Sequence, residues 1–143
     1  MTRLLLRSLL LCCMAACVTL LAGCPKSASK GTALDEVQYA YSAAIRWGDF
    51  EGAWNLVDPK YRKEHPLTDI DFSRYKQVQI SGYRDQGGAI QPSGTAVRDI
   101  EIGVINRNTL AERTVRYRET WRYDEASKTW WLDGGLPDLW KGE

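Results

Sequence analysis

Arg98, Tyr117 and Glu119 form the one grouping in this sequence whose residue types and spacing could do chemistry. Hydrophobic residues alternate through 95–105 and 110–123, which predicts two antiparallel strands. Taking 106–109 as the turn between them sets Ile100 opposite Val115 and Arg98 opposite Tyr117, with Glu119 diagonally across from Arg98. All three polar side chains then share a face with Ile100, Val115 and Trp121. A carboxylate on such a face costs several kcal/mol unless it is paired. Two roles are open to it. One is a structural ion pair. The other makes Tyr117 and Glu119 polar contacts for a ligand resting among Tyr41, Trp121 and Trp130. Acid–base catalysis would need Glu119 unpaired with a raised pKa, and Arg98 argues against that.

Other reactive groupings are lacking. His65 is the single histidine and sits between Glu64 and Pro66, the position of an exposed helix-terminal residue favoured by the helix dipole. No Ser-His-Asp, Cys-His or HExxH arrangement is present. Gly87-Gly88 reads as a turn rather than a phosphate loop. The pairs Asp35-Glu36 and Asp124-Glu125 are adjacent in sequence, which makes poor metal sites. The sequence therefore assigns no catalytic residue, no metal and no cofactor.

The most specific signal lies at the amino terminus. Arg3 and Arg7 precede an apolar run over 8–23, with no acidic residue before Asp35, as in an export leader. The run is too short for a confident membrane-spanning helix. Leu21-Ala22-Gly23-Cys24 resembles a bacterial lipobox. The resemblance implies cleavage before Cys24, acylation of that cysteine and of the new amino terminus, and attachment to a membrane. Each buried methylene contributes about 0.8 kcal/mol, so several chains on one residue hold firmly where one holds marginally. Pro25 follows the cysteine where an Asp would signal inner-membrane retention. In a Gram-negative cell this implies the periplasmic face of the outer membrane.

Removing the first 23 of 143 residues leaves 120, enough for one core. Cys12, Cys13 and Cys17 leave with the leader, so the mature chain has no cysteine pair for a disulfide or a CxxC metal site. Discounting Arg3 and Arg7 from 19 basic residues leaves 17 against 18 acidic ones, a balance that gives no field for nucleic acid. Six Trp and seven Tyr speak for a filled core or an aromatic pocket.

Three segments follow: a leader over 1–23, a lipidated Cys24 with a polar tether over 24–31, and a single domain over 32–143. Thr32, with Asp35 three positions on, is placed to open a first helix whose stripe runs through Leu34, Val37, Tyr41 and Ile45, and Gly48 stops it. Asp49 can cap a second helix burying Phe50, Ala53, Trp54 and Val57. Asp58-Pro59 starts a short third, ending near Glu64. Strands are predicted over 75–83, 95–105, 110–123 and 128–136, with 86–94 a loop or a broken edge strand. A second turn at 124–127 sets Trp121 opposite Trp130 and Glu119 opposite Leu132. The opposite face then pairs Asp99 with Arg116 and Arg118 with Asp133, a charged lattice suited to solvent. The fold class is α+β: two to three N-terminal helices on a curved antiparallel sheet of about four to five strands.

The run Ala44-Ile-Arg-Trp-Gly-Asp-Phe-Glu-Gly-Ala-Trp54 is similar to the helix junction of nuclear-transport-factor-two-like (cystatin-like) domains. Glu119-Thr-Trp-Arg-Tyr with Trp130-Trp-Leu132 is similar to their closing hairpin. The resemblance covers about residues 32–136 and implies a cone with a pocket at its open end, and homodimers through the sheet. Such domains include isomerases, dehydratases, transport factors and binding-only proteins, so it speaks to fold more than activity. The first expectation is a non-enzymatic, membrane-tethered domain that binds an envelope protein or a small apolar ligand. The alternatives are a lipid-anchored isomerase or hydrolase-like enzyme using Glu119 and Tyr117, or a structural envelope subunit.

Overall fold

The computed structural model describes residues 29–141. Four helices precede four strands: α1 (Lys30–Trp47), α2 (Phe50–Trp54), α3 (Pro59–Glu64), α4 (Asp69–Tyr75), β1 (Val78–Ile90), β2 (Ala96–Asn106), β3 (Glu112–Asp124) and β4 (Thr129–Leu132). The strands form one antiparallel sheet in sequential order. The class is α+β, with one helix more than the sequence predicts.

Local chemistry accounts for the helix limits. Ser29 rather than Thr32 caps α1, its Oγ accepting the Thr32 N–H at 3.2 Å, so Lys30 and Gly31 are helical and not tether. Gly48 ends α1 in the left-handed region (φ 74), where its N–H reaches the Ala44 and Ile45 carbonyls. Asp49 caps α2 through the Gly52 N–H, and Asp58 caps α3 through the Lys60 N–H. The unforeseen α4 takes residues expected to approach or begin the first strand. Thr68 and Asp71 form a reciprocal capping box there, with the Thr68 N–H donating to Asp71 at 2.7 Å.

β1 runs on through Gly87-Gly88 instead of stopping near Tyr83. Register shifts at Ile80/Gly82 and Asp85/Gly87 absorb the extra residues and bend the strand. Gly88 is required at the second shift: a Cβ there would lie 2.4 Å from the Val97 carbonyl oxygen.

The two later hairpins share one design. Asn106 accepts N–H bonds from Asn108 and Thr109, and Asp124 accepts them from Ala126 and the Ser127 hydroxyl. The loops then close on a left-handed residue, Leu110 (φ 59) and Lys128 (φ 55) respectively. Each loop keeps the predicted length but lies one residue later, because the Asx residue precedes the turn instead of entering it. The pairings move by two accordingly: Arg98 faces Glu119, Ile100 faces Tyr117, Trp121 faces Leu132 and Tyr123 faces Trp130. A shift of two leaves every side chain on its predicted face.

The inner face packs on the helices, with Tyr41, Ile45, Ala53, Val57, Ile102, Val104 and Trp121 wholly buried. On the other face Arg118 pairs with Asp99 at 2.7 Å and Arg84 with Glu101 at 3.1 Å. These correct the predicted Asp99–Arg116 and Arg118–Asp133 pairings.

β4 ends at Leu132 rather than 136. Gly134 (φ 142) turns the chain along the part of β3 that β4 leaves unpaired. There the Asp133 N–H meets the Thr120 carbonyl, the Tyr117 hydroxyl donates to the Gly135 carbonyl at 2.9 Å, and the Tyr75 hydroxyl donates to that of Pro137 at 3.2 Å. Leu139 is wholly buried. The outer side of β4 is held by a parallel bridge between Val57 and Leu132. β1 is the sheet's other edge.

Candidate functional site

Three neighbouring strands converge on Glu119. Its Oε2 accepts Arg98 Nη2 at 2.7 Å, Arg98 Nε at 3.1 Å and the Trp121 indole N–H at 2.8 Å. Its Oε1 accepts the Tyr83 hydroxyl. The carboxylate has no exposed surface, and Arg98 is only 12% exposed. The ion pair is therefore direct, across a cross-strand pair, rather than diagonal as predicted. Arg98 also reaches Asp85 at 3.5 Å.

Burial sets the electrostatics. It pushes the Glu119 carboxyl up to about 8, while the Trp121 N–H pulls it down. Burial also lowers the Arg98 guanidinium, against the pull of Asp85. The Tyr41 hydroxyl is pushed well above its ordinary range by burial and by the Tyr117 hydroxyl 3.4 Å away. Burial raises Tyr117 as well.

The expected ligand set is only partly brought together. Tyr41 meets Trp121 edge to face at 5.5 Å, and both are wholly buried. Arg98, Glu119 and Trp121 form the cluster, and Tyr117 joins it through Tyr41. Trp130 stands apart, with its indole N–H on the Lys30 carbonyl at 2.9 Å and its ring against Tyr123 at 5.2 Å. Rings fill the space between α1 and the sheet at the Tyr41–Trp121 contact, while a cavity of about 220 Å³ lined by Leu34, Gln38, Gly88, Ala96 and Arg98 opens nearer the start of α1. Sequence reasoning missed Tyr83; its only signal is the face it shares with Ile102 across the first bulge.

Two further features complete the surface. Asp58 binds Arg122, tying the start of α3 to β3. Burial raises the Asp58 carboxyl, but Arg122 and the Lys60 N–H outweigh it and hold the group below its ordinary value. Between α1 and β1 lies a groove of about 670 Å³ lined by Tyr39, Arg46, Trp47, Ile80 and Tyr83. His65 is exposed and rests on Tyr61 at 4.5 Å. Among the described residues no group of three or more His, Cys, Asp or Glu side chains could hold a metal ion. No helix among them is long and apolar enough to cross a membrane. Cys24 and the leader lie outside the described residues.

These features define an α+β domain with a buried, fully engaged carboxylate at the centre of its sheet. No protein-family model matches the chain, and no curated protein matches it. Its fold is similar to that of a SEC-C motif containing protein from Psychrobacter arcticus, with a TM-score of 0.52 at 10% identity. The match covers 74% of this chain and 61% of that one, so the chain spans less than two thirds of that protein. At this identity the likeness shows fold alone.

Proposed function

We propose that this chain is an extracytoplasmic lipoprotein, held to a membrane by acylated Cys24, whose domain is a non-enzymatic binding module for an envelope protein. One observation carries the non-enzymatic part. Both oxygens of Glu119 are occupied by donors and the group has no exposed surface. A general base must reach the proton it removes, and Glu119 is turned away from any substrate. The buried Tyr41–Trp121 contact similarly favours a protein partner over a small apolar ligand within the domain.

A second reading has one observation in its favour. A buried carboxyl raised to about 8 is the kind of group that enzyme sites contain. Structural ion pairs perturb pKa values as well, and the donor set at Glu119 is that of such a pair.

The leader, the lipobox resemblance and the absence of a second mature cysteine support the anchor. Pro25 after Cys24 supports the periplasmic face of the outer membrane in a Gram-negative cell. The bent β1 and the helices on the inner face support a cone of the nuclear-transport-factor-two-like kind. Cell fractionation tests the anchor: Cys24→Ser should move the protein from the membrane fraction to the soluble one. A variant that stays with the membrane overturns the proposal.

A further inference from the structure

We infer that the groove between α1 and β1 binds an extended acidic peptide segment of a partner protein as an added strand on β1. The inference rests on the binding-module reading and names the class of partner. Tyr39, Ala43, Arg46 and Trp47 fall on the side of α1 opposite the buried Leu34, Tyr41 and Ile45. Trp47 is 87% exposed and Tyr39 75%, the largest aromatic surfaces left open among the described residues. Rings of this kind recur as anchors of protein interfaces.

The groove's floor is the edge of a sheet, and its backbone is held by a side chain instead of a strand. Arg46 Nη2 donates to the Tyr83 carbonyl at 3.0 Å, with the guanidinium 5.7 Å from the Tyr83 ring. In a strand the N–H and C=O of one residue point to the same side, so the Tyr83 N–H faces outward as well. A peptide strand can take both groups, its own N–H replacing Arg46 on the carbonyl. The guanidinium released is then free for a carboxylate.

Charge selects the partner. Arg46 and Arg84 line the groove and no Asp or Glu does; Arg84 is held by Glu101 at 3.1 Å, whereas no carboxylate among the described residues pairs with Arg46. The groove holds no carboxylate that a second copy could offer to Arg46, which opposes self-association through it. An acidic extended segment meets Arg46 through its side chains and Tyr83 through its backbone. Alternate residues of such a segment would also lie against Trp47 and Tyr39.

The test is a titration of the full-length, isotope-labelled lipoprotein in detergent, read by amide and indole chemical shifts. The probes are blocked peptides of strand length, one alternating Glu with Val and one alternating Lys with Val. The acidic peptide should shift the Tyr83 amide and the Trp47 indole N–H, and Arg46→Glu should weaken it by about tenfold or more. Trp47→Ala should weaken it also, at a site too exposed to affect folding. No shift with the acidic peptide, or equal shifts with the basic one, overturns the inference. Equal shifts with an anionic oligosaccharide would show that charge alone is read and would also overturn it. The anchor and the closed interior survive any of these failures, since fractionation of Cys24→Ser and titration of Glu119 report on them separately.

Discussion

Glu119 is held from three strands, by Tyr83 on β1, Arg98 on β2 and Trp121 beside it on β3. The cluster is closed, so its parts fail unequally when removed. Arg98→Met leaves the buried carboxyl without its cation and, where that group is ionised, above about pH 8, should lower stability by about 3–5 kcal/mol in urea unfolding. Replacing both partners, as Arg98→Met with Glu119→Leu, should recover most of that loss. A double variant as unstable as the sum of the singles would contradict the pairing. The pH dependence has a definite sign. The folded value of Glu119, about 8, lies above its ordinary 4.5, so the folded state holds this proton more tightly than the unfolded chain. Its contribution is complete below pH 4.5 and is lost as pH rises through 8. Asp58 runs the other way, its stabilisation being present above 3.8 and lost in more acid solution. A carbon-detected titration should find the Glu119 midpoint well above that of an exposed glutamate; an ordinary midpoint would refute the burial argument.

The hairpins show how far a sequence can specify strands. Both loops have a polar residue just before the turn and a left-handed residue at their end. Leu110 is 78% exposed and strained by its φ, so Leu110→Gly should raise stability by about 0.5–1 kcal/mol in thermal unfolding. Asn106→Ala should cost about 1 kcal/mol by removing the turn's acceptor. Reading Asn106 and Asp124 as loop residues, instead of the last strand positions, displaces each loop by one. Side-chain alternation cannot detect that error, since the displaced register keeps the same faces. It does make the Arg98–Glu119 pair diagonal, and the direct cross-strand pairing becomes visible only with Asn106 in the strand. The α4 helix was legible in principle from Thr68-x-x-Asp71. Thr68→Ala should loosen it by about 1 kcal/mol, seen as faster hydrogen exchange over Asp69–Tyr75. The strand through Gly87-Gly88 was legible only as one of two readings of 86–94, the broken edge strand, because glycine usually signals a break and here accommodates a close crossing with Val97.

At the scale of the molecule, the α+β domain follows a short segment that begins at Cys24, the residue proposed to be acylated. Only five residues, 25–29, separate Cys24 from the start of α1 at Lys30, so acylation of Cys24 would hold the domain near the membrane surface. Under the proposed anchor, partner binding would take place at the membrane rather than in free solution, with the exposed aromatics of α1 available there. The outer sheet face, with Arg118–Asp99 and Arg84–Glu101 satisfied within one chain, suits solvent. The anchor is the claim on which location and role both depend. Intact-mass spectrometry of the protein extracted from membranes tests it most directly. Acylation predicts a chain beginning at Cys24 and carrying the added mass of several acyl chains on that residue. A chain that retains residues 1–23, or one that begins at Cys24 without added lipid, would contradict it.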